Sequence, residues 1–558
     1  MYAIKYVTAF IACLALSTTA NAENPGEKKP VAPKLVVAIS VDQFSANLFS
    51  EYRSSFTDGL KRLSGGAVFP SGYQSHAATE TCPGHATIMT GVHAGRAGII
   101  ANNWIDLDAK REDKTIYCAE DERINSTSFG GITAPAQGDY VASAWHLLVP
   151  TLGERLKKIS PQSRNVAVSG KDRGALMMGG HDVDAIYWWK GKGFTTLNGL
   201  AIAPAIGALN TQIAANIDKA RAPYAIPAQC TARNRAIAVS DDQSVGNYAF
   251  QRPEGASGVF RASPDFDGVT VNAALALVQS MKLGQGEAAD ILSLSLSATD
   301  YIGHSFGTGG LEMCIQMGEL DRNLGVLFRA LDAQNIDYIA MLTSDHGGHD
   351  LPERLQEQGL PQAQRIDPDL NAKYIGAQIR ETLALPGREP LLYAHGPFGD
   401  YYLSLSLDAE TKAKVKAEAI KLLTSHRQVH SVLDGADLAA MPMPHGPVEE
   451  WTLAERARAS YYAGRSGDFI VLLNKSVTPI AHAGSGYVAT HGSPWEYDRR
   501  VPMLFWHKGI THFEQSSSVK TVDIAPTLAA FIGVDIPADE MDGRCLDIDG
   551  SAGNSCQN

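Results

Sequence analysis

Five short runs of β-branched and apolar residues constrain this chain more than anything else in it, and four of them end on residues able to do chemistry. Leu35-Val-Val-Ala-Ile-Ser-Val41 follows Lys34 and ends on Asp42. Asn165-Val-Ala-Val-Ser169 runs into Gly-Lys-Asp-Arg, Asp290-Ile-Leu-Ser-Leu-Ser-Leu296 into Ser-Ala-Thr-Asp300, and Tyr338-Ile-Ala-Met-Leu342 into Thr-Ser-Asp345-His346. Val501-Pro-Met-Leu-Phe-Trp506 has the same apolar form. A strand apolar on both faces must be covered on both, as in a parallel sheet flanked by helices. Between Cys314 and Leu331, Leu320, Leu324, Leu327, Phe328 and Leu331 recur at helical spacing and supply such a cover. Alternating strands and helices predict an α/β fold, an α/β/α sandwich with a mostly parallel central sheet.

Open sheets of this kind place their ligand sites beyond the carboxyl ends of the strands. The polar residues there are Asp42, Asp300 with His304 four residues on, Asp345 with His346, and a Thr-His-Gly-Ser-Pro turn from Thr490 to Pro494. Mixed carboxylate oxygen and imidazole nitrogen suit zinc better than magnesium, which takes oxygen. Three aspartates and three histidines make two sets of three ligands, the arrangement that clamps attacking and leaving oxygens in phosphoryl transfer. Each residue alone has a plainer reading, as a helix cap or turn. Their shared position after buried strands is what weighs against it.

The stretch ATETCPGHATIMTG, residues 78–91, carries a further group. Thr81 precedes Cys-Pro-Gly-His, then a short helical run that stops at Gly91. Threonine is a good N-cap and proline is favoured in the first turn, so Thr81 is expected at a helix N-terminus. Free amides there bind phosphate oxygens, and a hydroxyl beside a metal becomes a nucleophile. Thr79, Thr87 and Thr90 read as structural, Cys82 as a disulfide partner, and His85 as packing or support.

The rest of the chain sets bounds. A formal net charge of -12 without a basic run argues against nucleic-acid partners. Residues 1–22 have the three-part plan of a secretory signal, with cleavage expected after Ala22, and 23–33 read as a linker. A lipid anchor through Cys13 is the weaker alternative. The apolar stretch of the leader is too short to span a bilayer, and no later segment reaches about 18 consecutive apolar residues. Six cysteines follow the leader; Cys545 with Cys556 is the strongest expected pair and Cys82 with Cys118 a weaker one. Segments of about 175–285 and 365–485 fit the strand–helix rhythm poorly and are expected to be insertions capping the sheet within one catalytic domain, 34–558.

The ordered set SVDQF (40–44), ATETCPGHATIMTG (78–91), GIIANNW (98–104), GKDRG (170–174), ATDYIGH (298–304), TSDHGGHD (343–350), THGSPW (490–495) and VDIAPTLAAFIG (522–533) resembles the alkaline phosphatase superfamily. Within it, the likeness is to threonine-nucleophile bacterial alkaline phosphatases, themselves related to nucleotide pyrophosphatase/phosphodiesterases. The resemblance implies Thr81 as a nucleophile that becomes phosphothreonine. It implies one zinc on Asp300, His304 and His491, and another on Asp42, Asp345 and His346 with Thr81 beside it. Asn102, Lys171 and Arg173 would hold the phosphoryl oxygens. His491 over His395, His445 and His482, and Asn102 over Asn103, rest on the resemblance, since local sequence does not decide. Cys82-Pro83-Gly84-His85 departs from the sulfatase signature, and the Lys-Asp-Arg element tilts the expectation from diesters to monoesters.

The expected protein is therefore an exported zinc-dependent phosphatase, periplasmic or secreted and monomeric, acting on small phosphate monoesters. A further calcium or magnesium site is left open. A phosphodiesterase or nucleotide pyrophosphatase with the same two zincs is the competing enzyme. An inactive exported phosphate- or metal-binding protein is the competing non-enzyme, disfavoured by the intact nucleophile and ligands.

Overall fold

The computed structural model describes residues 32–124, 140–484, 486–550 and 553–556. The expected leader, and the linker as far as Val31, lie outside the described residues. One ten-stranded sheet organises the chain. Its strands are β1 (Leu35–Val41), β2 (Ala67–Tyr73), β3 (Asn165–Ser169), β4 (Ala185–Lys190), β5 (Gly193–Thr195), β6 (Asp290–Leu296), β7 (Tyr338–Thr343), β8 (Arg500–Trp506), β9 (Phe513–Glu514) and β10 (Val519–Lys520). Their order is β9-β2-β8-β7-β1-β6-β3-β4-β5, with β10 also beside β2. The central strands β7, β1, β6, β3 and β4 pair in parallel. The 501–506 run departs from them: β8 is antiparallel to both β7 and β2.

Alternation along β1 shows why the sheet needs two covers. Leu35, Val37, Ile39 and Val41 enter one apolar cluster, and Val36 and Ala38 another. On the first face lie α3 (Asp265–Met281) and α5 (Leu311–Ala333), through Leu277 and Val278 and through Leu320, Leu324, Leu327 and Phe328. On the second lie α1 (Thr81–Thr90), α2 (Asp172–Gly179) and α6 (Ile524–Phe531), through Ile88, Met89, Met178, Ile524 and Leu528. Each such fully buried aliphatic side chain contributes about 1.5–3 kcal/mol. The α/β/α layering follows.

The register then sets the site. Ser40 stands opposite Ser295 and Thr343, and Ser169 opposite Ser295. The chain therefore leaves four adjacent strands at one edge, delivering Asp42, Lys171, Asp300 and Asp345 together.

The expected insertion at about 175–285 needs correcting in part. β4 and β5 lie inside it yet extend the central sheet, and α3 covers that sheet. The aromatic-rich Ala185-Ile-Tyr-Trp-Trp-Lys190 is the strand that the surrounding Ala, Gly and Asn disguised. Residues 365–485 carry a separate four-stranded sheet of Leu392–Ala394, Gly399–Leu403, Phe469–Leu473 and Val429–Asp434, with its own apolar cluster. Disulfides join Cys82 to Cys118, Cys230 to Cys314, and Cys545 to Cys556. No described helix is long and apolar enough to cross a membrane.

Candidate active site

Thr81 is the first residue of α1, with Glu80 rather than Thr81 in the N-cap position. Its hydroxyl is therefore not spent on capping: Thr81 is fully buried and its Oγ1 has no hydrogen-bond partner. The helix ends as expected, at Gly91 with φ of 71°. Around Thr81 the backbone is held tightly. The Cys82 amide donates to Asn102 Oδ1 at 2.8 Å, and the Asn102 amide donates to Glu80 Oε2 at 2.5 Å.

The six expected ligands converge. Asp300 Oδ1 lies 3.2 Å from His304 Nε2 and 3.4 Å from His491 Nε2. His346 Nε2 lies 3.3 Å from Asp42 Oδ1 and 3.4 Å from Asp345 Oδ2. Of the four histidines that sequence left open, His491 joins the cluster. Its ring stacks on His346 with centroids 3.5 Å apart. Each of these three rings is aimed by its other nitrogen: His304 Nδ1 meets Ala489 O at 2.8 Å, His491 Nδ1 meets Thr79 O at 2.9 Å, and His346 Nδ1 meets Gly347 O at 2.8 Å. Those contacts fix which nitrogen faces the site.

Electrostatics bind the two halves. Lys171 Nζ lies 2.5 Å from Oδ2 of both Asp42 and Asp300. Burial pulls the Lys171 ammonium toward its neutral form, but Asp300 and Asp42 more than reverse this and hold it charged. Burial likewise opposes ionisation of Asp300, yet His304 and Lys171 keep it well below the usual carboxylate range. His346 is raised to about 9 against its burial, by Asp345 and Asp42. Burial and the neighbouring His346 lower His491. Arg173 is held charged against burial by Tyr117 and Asp172, and its Nη1 donates to Tyr117 Oη at 3.5 Å.

The cluster fits metal ions. Asp42 Oδ1 and Asp300 Oδ1 are buried without hydrogen-bond partners. Orphaned acceptors at such depth need a cation. The ligand-atom separations of 3.2 to 3.4 Å are also those of a tetrahedral edge when each ligand is about 2 Å from zinc. Asp300, His304 and His491 form one three-ligand group; Asp42, Asp300 and His346 form the other, so Asp300 stands between the two sets and Asp345 flanks the second. A cleft of about 420 Å³ opens onto this cluster, with Asn102, Lys171, Arg173, Phe398, Tyr487 and His491 on its walls.

Comparison with known proteins gives the family. The type I phosphodiesterase / nucleotide pyrophosphatase family matches residues 36–494. The chain is 50% identical over 527 residues to the alkaline phosphatase PhoK of Sphingomonas sp., covering 94% of this chain and 92% of that one. The chain belongs to this family, among its alkaline phosphatases. It is also 44% identical to the alkaline phosphatase PhoD of Zymomonas mobilis, over 94% and 89% of the two chains. The fold matches the crystal structure of the alkaline phosphatase PafA with a TM-score of 0.80 at 23% identity, over 94% of this chain and all of that one.

Several groups position this phosphatase's site, and one of them, Asp267, was not legible beforehand. His85 Nδ1 lies 2.8 Å from Thr81 O and 3.1 Å from Asp345 Oδ2, tying the helix start to the end of β7. Asp267, on α3, accepts from the Ala298 amide at 2.9 Å and from Gln316 Nε2 at 2.8 Å. It thereby anchors the start of α4 (Ala298–Phe306), which carries Asp300 and His304. The available signal was a pair of acids, Asp265 and Asp267, in the first turn of a largely apolar helix. Thr79 Oγ1 donates to Ser493 O at 2.7 Å, placing the His491 loop against the irregular segment that leads to Thr81.

Proposed function

We propose that this alkaline phosphatase hydrolyses phosphate monoesters of broad identity through a phosphothreonine at Thr81. The observation that carries the reading is the unpartnered, buried Thr81 hydroxyl at the start of α1, in a site where Asp42, Asp300, His304, His346 and His491 are grouped as metal ions require. Asp300, His304 and His491 would hold one zinc, and Asp42, Asp345 and His346 the other, with Thr81 at the second. Bound zinc supplies positive charge that makes a hydroxyl or water nucleophilic at neutral to alkaline pH and stabilises a departing oxygen.

The chain's own residues do the rest. Thr81 Oγ1 forms a bond to phosphorus as the ester oxygen departs on the opposite side, in line. The Asn102 carboxamide, fixed through its oxygen on the Cys82 amide, and the cationic Lys171 and Arg173 hold the non-bridging oxygens. Water then attacks the phosphothreonine and restores the Thr81 hydroxyl. Two cations match the dianion of a monoester better than the single charge of a diester, and this favours the monoesterase over the phosphodiesterase that the family also includes.

Export to the periplasm or the medium is part of the reading. The three disulfides support it, because such bonds persist in oxidising compartments. We take the working form as a monomer, with residues 365–485 as a cap beside the site.

The test is kcat/KM for p-nitrophenyl phosphate and bis-p-nitrophenyl phosphate on protein of measured zinc content. Preference for the monoester is expected; preference for the diester would transfer the assignment to the phosphodiesterases.

A further inference from the structure

A second cavity, of about 290 Å³, adjoins the site and shares lining residues with it. It shares Lys171, Arg173, Arg261 and Tyr301 with the main cleft, and adds Lys190 and Lys192. In a chain with a net charge of -12, this concentration of cations stands apart. Its acid, Asp172, is already engaged, accepting from Tyr117 Oη at 2.8 Å and from the Tyr140 hydroxyl.

Tyr301 joins the two spaces. Lys171 Nζ lies 5.2 Å from its ring centroid and Arg261 Cζ lies 4.9 Å from it, so the two cations are at most about 10 Å apart. Arg261 Nη1 also donates to Tyr301 Oη at 3.3 Å, which fixes the guanidinium on the ring. Lys192 is matched by Asp218 at 2.7 Å. Among the described residues, neither Arg261 nor Lys190 has a carboxylate within 4.0 Å. Two unmatched cations facing a cavity beside a phosphoryl site attract a second anion and present hydrogen-bond donors to it.

The geometry points to an anion subsite, formed by Arg261 with Lys190, that holds a second phosphate of the same substrate while the first sits at Lys171 and Arg173. The inference rests on the monoesterase reading above and gives it a preferred class: small phosphate esters with another phosphate about one sugar ring away. The Tyr301 ring fixes the spacing between the two anion sites. Substrates with a single phosphate leave the second one empty.

The test compares initial-rate kcat/KM for glucose 1,6-bisphosphate and glucose 6-phosphate in the zinc-loaded enzyme, its Arg261→Ala variant and its Lys190→Ala variant. Wild type is expected to favour the bisphosphate by more than about fivefold, a preference that shrinks with added sodium chloride. Arg261→Ala is expected to lower that ratio by about tenfold or to near unity, the scale of one charge-assisted hydrogen bond. Lys190→Ala, an exposed change at the end of β4 that leaves folding intact, is expected to lower it less. Equal wild-type rates for the two sugars, or a ratio unmoved in both variants, overturns the subsite. A wild type that turns over neither glucose 6-phosphate nor p-nitrophenyl phosphate overturns the monoesterase reading itself, and the subsite with it.

Discussion

A Cβ on Gly84 would stand 2.0 Å from the carbonyl oxygen of Asp345. The helix that presents Thr81 thus lies directly against the strand end that presents Asp345 and His346, and only a glycine permits the approach. Gly84→Ala is expected to force the two apart. Backbone cannot yield as a flexible side chain can, so the cost is about 3 kcal/mol of stability with a loss of most activity. Thermal unfolding with steady-state kinetics checks this; a variant with wild-type melting and turnover would show that the contact has no such role.

On the proposed function, Lys171 and Arg173 divide the substrate classes. Their paired replacement by alanine is expected to lower kcat/KM for p-nitrophenyl phosphate by about 100-fold or more, the scale of removing donors to transferring oxygens. The loss on bis-p-nitrophenyl phosphate is expected to be much smaller. Equal losses on both esters would remove these residues from the discrimination.

Chelation is expected to abolish turnover and to lower the melting temperature, because ions that bind only the folded state stabilise it by mass action. Asp42, Asp300 and Asp345 are then left with Lys171 and the histidines for compensation. Differential scanning calorimetry before and after dialysis against chelator, then after zinc addition, measures both effects. Melting unchanged by chelator would contradict a resident metal at this cluster.

His76 sets an acid limit on stability. It is fully buried with both ring nitrogens unpartnered, and burial, then Arg499, lowers its pKa to about 3. The unfolded chain takes up a proton as pH falls through about 6.5, whereas the folded chain refuses it until about 3. Stability is therefore complete above pH 6.5 and drains away as pH falls from there toward 3. Between pH 6.5 and 4 the loss from this group is roughly 3 kcal/mol. His76→Gln is expected to flatten the melting curve against pH across that window, and an unchanged slope would assign the acid sensitivity elsewhere.

The strand ends explain how much of this was readable in advance. Asp42, Lys171, Asp300 and Asp345 each follow a doubly buried run, and period and position alone place them on one edge. His491 comes from an irregular turn, and nothing in its surroundings separates it from His395, His445 or His482; family resemblance selected it, and the contact with Thr79 O holds it in place. β2 and β4 were not legible because Pro70 and Gly72 interrupt one and small residues surround the other. His85 fills the supporting role read for it through Ser295, whereas Asp267 acts across a contact between elements distant in sequence, which no local pattern encodes.

Thr81 carries the account. Thr81→Ala is expected to lower turnover by more than about 1,000-fold while zinc content is kept, and Thr81→Ser to retain a working hydroxyl. The most direct measurement is peptide mass spectrometry after rapid acid quenching of the zinc-loaded enzyme with a phosphate monoester. The account predicts one phosphoryl group on Thr81 in the peptide containing Cys82-Pro-Gly-His85, absent from Thr81→Ala. Full turnover by Thr81→Ala, or phosphate trapped on a different residue, would contradict it.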